Sequence, residues 1–260
     1  VLDFNVKKGM NKGLMSNIDL GIGNKDRYSA RGMGGYFNSN NRFMLFGNAN
    51  NTSDRGFGGG GPRRGFGGGN GLNASKMLAA NYNYEEKNKF KFNTSLRWNH
   101  SDGDVWSRRS SENFLGSSSS FSNSLSQSFS RSDSWNGNIR LEWMPDTMTN
   151  ILFRPSISWT TNDSRSTGLS ASFNQDPYQY SDDPLSDEGI EKMDEVDAVV
   201  NRQKSVSLSN SKNNNIRGML QLNRKLNNKG RNVTLRMDAQ YTDKDSKSIS
   251  LQNAQLYLVQ

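Results

Sequence analysis

Apolar residues recur at every second position over much of this chain. The pattern is cleanest between Trp135 and Trp159. Trp135, Gly137, Ile139, Leu141 and Trp143 fall on one side, with Asn136, Asn138, Arg140 and Glu142 on the other. After a turn around Pro145 and Asp146, the alternation resumes with Ile151, Phe153, Pro155, Ile157 and Trp159, against Arg154, Ser156, Ser158 and Thr160. Period 2 predicts half-buried strands, because successive side chains point to opposite faces of the pleat. Each arm is close to the roughly 9–11 residues that a tilted strand needs to cross a bilayer. Tryptophan stands at both ends of the first arm and at the far end of the second, as an aromatic girdle requires.

The same alternation predicts strands over 14–23, 28–36, 43–49, 72–84 and 90–98. Phe121, Leu125 and Phe129 keep the parity of Trp135–Trp143, which predicts one long strand reaching beyond the span. Further strands follow over 206–222 and from Val233, with one parity kept to Leu251. Connections at 39–42, 85–89, 144–150 and 225–232 are short. Those near 50–71, 101–120 and 161–203 are long and are expected to be loops. Short turns at one end and long excursions at the other are the plan of outer-membrane barrels. The expected fold is therefore all-β: an antiparallel up-and-down transmembrane β-barrel over 14–260, with 1–13 as a lead-in. The strands number about nine, whereas bacterial single-chain barrels have an even count, so the chain is expected to be an incomplete segment of a larger barrel.

Composition narrows this only in part. Hydrophobic residues make up 32% of the chain, too few for a helical membrane protein. A barrel tolerates that value, because alternate residues face a wet interior. The absence of cysteine excludes a disulfide framework and a thiolate zinc site. The net charge of +8 is spread along the chain, which favours anionic headgroups or solutes over nucleic acid as partners. The first ten residues show no leader pattern.

The stretches VLDFNVKKG, NASKM, YNYEEKNKFKFNTSLRWNHSDGDV, SSENF, SFSNSLSQSFSRSDSWN, LEWMPDTMTNILFRPSISW and LNRKLNNKGRNVTLR resemble the outer-membrane β-barrel family of TonB-dependent-receptor-like proteins of Gram-negative envelopes. The resemblance runs over nearly the whole chain. It implies that residues 1–13 are the junction between a preceding plug and the barrel. It also implies uptake of a nutrient ligand through the lumen, with energy supplied by a TonB-type coupling protein acting through the plug, and a surface lipoprotein as a candidate partner. Two alternatives stand beside it: a plug-less porin or structural barrel, and a soluble β-rich binding or adhesion module.

Candidate chemistry is sparse. Gly56–Gly61 has the spacing G-x-G-x-x-G, but Pro62, Arg63 and Arg64 follow where a dinucleotide site needs a helix. This insert reads as an extracellular loop whose Phe57, Arg63, Arg64 and Phe66 are ligand-binding candidates, together with Trp106, Tyr178, Tyr180, Asp182 and Asp183 in the later excursions. The acidic run Asp182–Asp197 lacks EF-hand spacing, and calcium binding through its carboxylates stands as the alternative to a solvated helix face. Its Ile190, Met193 and Val200 predict a short amphipathic helix. His100, the only histidine, has no nucleophile at a catalytic spacing and reads as a hydrogen-bonding residue at a strand end. No catalytic residue, metal site or cofactor is expected. On the face opposite the apolar one, Arg31, Arg97, Arg140, Glu142, Arg154, Arg217, Arg236 and Asp238 are expected to line the lumen. Trp98, Trp135, Trp143, Trp159 and Tyr241 form the expected girdle at the bacterial outer membrane.

Overall fold

The computed structural model describes residues 12–52, 70–115, 118–227 and 230–257. Nine antiparallel strands form one sheet in chain order. They are β1 (Lys12–Ile22), β2 (Tyr28–Asn38), β3 (Asn41–Asn50), β4 (Asn70–Glu86), β5 (Phe90–Leu115), β6 (Ser118–Trp143), β7 (Thr149–Phe173), β8 (Val199–Lys225) and β9 (Asn232–Leu256). Each strand pairs with its sequence neighbours. β1 and β9 are the two edges and do not pair with each other, so the described sheet is open.

Local chemistry sets the turns. Lys25 and Asp26 both have φ near +60°, and the Gly23 N–H donates to the Arg27 carbonyl at 2.7 Å, closing the β1–β2 hairpin. Two consecutive left-handed residues match the right-handed twist of the strands they join. Between β6 and β7, Asp146 accepts from the Met148 N–H at 2.7 Å and from the Thr149 hydroxyl at 3.0 Å, folding the turn around one carboxylate. Pro155 has no N–H to give, and the β6–β7 ladder skips the pairings of Arg154 and Pro155 without losing register.

Two expected loops prove shorter than the hydropathy pattern indicates. Residues 101–120 are not a loop: β5 runs to Leu115 and β6 begins at Ser118. Of 161–203, only 174–198 leaves the sheet. These tracts carry polar residues on both faces and too few apolar ones to sustain the alternation, while the backbone ladder continues. Ser107 and Ser126 share a hydrogen bond of 2.8 Å across the β5–β6 hairpin, and Ser132 donates to Asn162 at 2.7 Å across β6–β7. The long β6 expected from the parity of Phe121, Leu125 and Phe129 is present.

Residues 174–198 contain a 3-10 turn (Pro177–Gln179) and a helix α1 (Asp187–Asp194). Ser186 caps α1, accepting from the Gly189 N–H at 2.9 Å, and Ile190 and Met193 face inward as expected. Val200, expected with the helix, lies in β8. The described core is confined to this end: Ala171, Phe173, Leu185, Ile190, Met193, Ala198 and Val199.

Candidate functional site

Register turns the alternation into a surface. Leu78, Trp98, Trp135 and Trp159 stand side by side across β4–β7, and the Trp98 and Trp135 ring centroids are 6.2 Å apart. At the short-turn end Phe90, Trp143, Ile151, Leu222 and Leu235 form a second row. Ile157, Ile216 and Tyr241 lie in register just inside the first row, and Phe153, Leu220 and Met237 lie between the two. Leu14, Tyr36, Phe43 and Tyr82 extend this face across β1–β4.

No second sheet covers this face among the described residues: Ile139 is 38% exposed, Trp143 48% and Ile157 53%. A soluble monomer seldom exposes a contiguous apolar patch beyond a few hundred Å². Trp135 and Trp143 are eight positions apart on β6, about 26 Å at the usual rise. At the strand tilt usual in barrels, that distance is about 20 Å along a bilayer normal, near the height of a barrel's apolar band.

One step beyond the tryptophan row the same face becomes charged. His100 lies opposite Asp133 and Asp102 opposite Arg131. The His100 Nδ1 is 2.7 Å from Asp133 Oδ1, its Nε2 is 2.9 Å from Asp102 Oδ2, and the Arg131 Nε donates to Asp102 Oδ1 at 2.7 Å. Trp98 stacks on the imidazole at 6.0 Å, and the Arg131 guanidinium lies 5.9 Å from the Phe129 ring centroid. The Asp133 hydrogen bond, joined by that of Asp102, raises the His100 pKa above its usual 6.5 despite partial burial. The Arg131 hydrogen bond, with His100 second, holds Asp102 below the ordinary carboxylate range. Asp163, Lys212, Asp245 and Lys247 continue this boundary on β7–β9. The sequence reading put His100 at a strand end and missed the cluster. Its signal is the Trp98–Trp135 register, which sets His100 opposite Asp133.

The opposite face carries arginines, carboxylates and amides, with Met33, Phe46, Met77, Leu152 and Met219 interspersed among them. Arg31 stands between Asp19 and Asn48. Arg97 donates to the Met77 sulfur at 2.9 Å, and Arg140 to Glu142 at 3.2 Å. The hydrogen bond from Asn150, ahead of that from Arg140, also engages Glu142 at 2.8 Å. Arg236 grips Asp238 through two bonds of 2.7 and 3.0 Å. Arg154 and Arg217 share this face and are exposed. All eight expected lumen residues thus lie on one side of the sheet, and the five expected girdle residues on the other.

The expected ligand-binding residues are divided. Phe57, Arg63, Arg64 and Phe66 lie outside the described residues, as do residues 1–11 of the expected junction. Asp183 is engaged by Arg108 and accepts from the Leu185 N–H at 3.3 Å, which makes it a tether of the 174–198 segment. Tyr178 and Tyr180 are partly exposed beside it, and the Tyr180 hydroxyl bonds Gln175 at 3.0 Å. Trp106 lines a cavity with Leu125, Leu169 and Leu185, away from the polar face. Among the described residues no group of three or more acidic or histidine side chains is arranged to hold a metal ion. No described helix is long and apolar enough to cross a membrane. Compared with protein-family models and with curated protein sequences, the chain matches none.

Proposed function

We propose that this chain forms part of the wall of an outer-membrane transport barrel of the TonB-dependent-receptor-like kind, through which a nutrient ligand passes inward. One observation carries the reading: an uncovered apolar face, rimmed by indoles at both ends, backs onto a face of arginines, carboxylates and amides. In a bilayer the first face meets hydrocarbon and the indoles meet the two interfaces. The second lines a wet interior. There, exposed Arg154 and Arg217 are placed to attract anionic solutes, and the Arg140–Glu142 and Arg236–Asp238 pairs to hydrogen-bond a plug or a solute. Energy for transport comes, in this reading, from a TonB-type protein acting through a plug, and a surface lipoprotein would meet the distal hairpins. The reading assigns the chain no catalysis.

Brominated lipids test it. The full chain carrying Trp106→Phe, which removes the one indole outside the belt, is reconstituted into vesicles. Bromines near the glycerol should quench the remaining tryptophans more than bromines at the chain ends. A folded monomer in detergent-free buffer whose emission no lipid quenches would overturn the proposal.

A further inference from the structure

Above the charged boundary, residues 174–198 lie back over the same side of the sheet that carries the belt. The Arg108–Asp183 and Arg202–Asp187 ion pairs and the core around Phe173 and Met193 hold them there. Between this segment and the wall is a cavity of about 550 Å³, within the range of small-molecule sites. Trp106 of β5, Leu125 of β6, Leu169 of β7 and Leu185 of the segment give it an apolar lining. Two cations from β8 border it, Arg202 and Lys204, together with one carboxylate, Asp187. The cations differ in one respect. Arg202 is paired closely with Asp187, whereas Lys204 acts on that carboxylate only from beyond ion-pair distance and stands directly opposite Leu169 in register. Trp106 keeps 49% of its surface exposed.

We infer that this cavity binds a small amphipathic anion, its flat apolar body against Trp106 and Leu185 and its carboxylate on the Lys204 ammonium. A charge-assisted hydrogen bond at the edge of an apolar pocket is stronger than one in open water and fixes the ligand's orientation. A bilayer lipid is a poor occupant: Trp106 lies eight positions beyond Trp98, about 26 Å along the strand, past the reach of hydrocarbon. The transported solute is another, because the site faces away from the polar side of the sheet. The inference does not depend on the belt meeting lipid.

The probe is 2-naphthoate, titrated calorimetrically into the full chain folded in dodecyl maltoside, with 2-naphthylmethanol as the neutral counterpart. One equivalent of naphthoate should bind, and the alcohol at least about tenfold more weakly. Lys204→Glu and Trp106→Ala should each weaken naphthoate by about tenfold or more, with the β circular-dichroism signal unchanged. Lys247→Glu, the same charge change elsewhere on this face, should leave affinity as it was. Equal binding of acid and alcohol, affinity indifferent to Lys204→Glu and Trp106→Ala, or heat that scales with detergent rather than protein would each overturn the site. Failure here leaves the lipid-quenching result untouched, and failure of that result leaves this one.

Discussion

Between Trp135 and Trp143 the apolar-side positions of β6 are Gly137, Ile139 and Leu141. Between Phe121 and Asp133, on the same strand and the same side, they are Asn123, Leu125, Gln127, Phe129 and Arg131. The hydrogen-bond ladder crosses from one stretch to the other without a break in register. The lower stretch carries no charge on this side, whereas the upper one mixes apolar with paired charged residues and covers part of its surface with residues 174–198. A shared backbone pattern therefore supports two surfaces of different chemistry. Side-chain choice at alternate positions, with strand geometry unchanged, decides which is which.

The contrast can be broken from the upper side first. Phe173 is fully buried against Met193 and Val199, and Phe173→Ala should cost about 3–5 kcal/mol through the cavity it leaves. Limited proteolysis should then cut within 174–198 while the belt strands stay protected; equal loss in both regions would show that they fold as one unit. In the belt, Ile139→Arg should cost about 2–4 kcal/mol in lipid, the range for a cation near the midplane of a membrane strand. The paired change on the upper stretch, Gln127→Arg, should stay within about 0.5 kcal/mol. Urea unfolding from vesicles compares the two, and similar costs would erase the distinction between the surfaces. Ser186→Ala removes the α1 cap, worth about 1 kcal/mol, and should speed amide exchange in α1 alone.

The smallest effect concerns pH. The His100 pKa is raised on folding, so its contribution is complete below about 6.5 and is lost as pH climbs through the raised value. Asp102 is lowered, so its contribution is complete above about 3.8 and is lost as pH falls through the depressed value. The boundary cluster should therefore be tightest between those limits. The melting temperature of the native chain should exceed that of His100→Gln most in this mildly acidic window, and the gap should shrink toward alkaline pH. A gap that widened there would contradict the assigned hydrogen bonds.

Much of this architecture is legible in the order of the residues. Strands that alternate in hydropathy can be read, because one face of each must differ from the other. The distal halves of β5 and β7 escape that reading because serine, asparagine and arginine are spread over both faces. There the ladder is propagated by register from Trp98–Trp135 rather than announced by local pattern. That Trp98, Trp135, Trp143 and Trp159 share one face is legible for the first reason, and the cluster around His100 is hidden for the second. The cavity beside Trp106 had no local signal at all. It exists only because Phe173, Leu185 and Met193, on a strand end, a turn and a helix, meet and draw residues 174–198 back over the sheet.

The row of indoles has a consequence for spectroscopy. Trp98 and Trp135 come from strands joined by a distant hairpin tip, and their ring planes are inclined by 36° at 6.2 Å. Transition dipoles that near and that tilted should couple into a split near-ultraviolet couplet. A slip of one residue would turn either ring to the far side of the sheet and abolish it. The protein thus carries an intrinsic optical gauge of its own strand alignment.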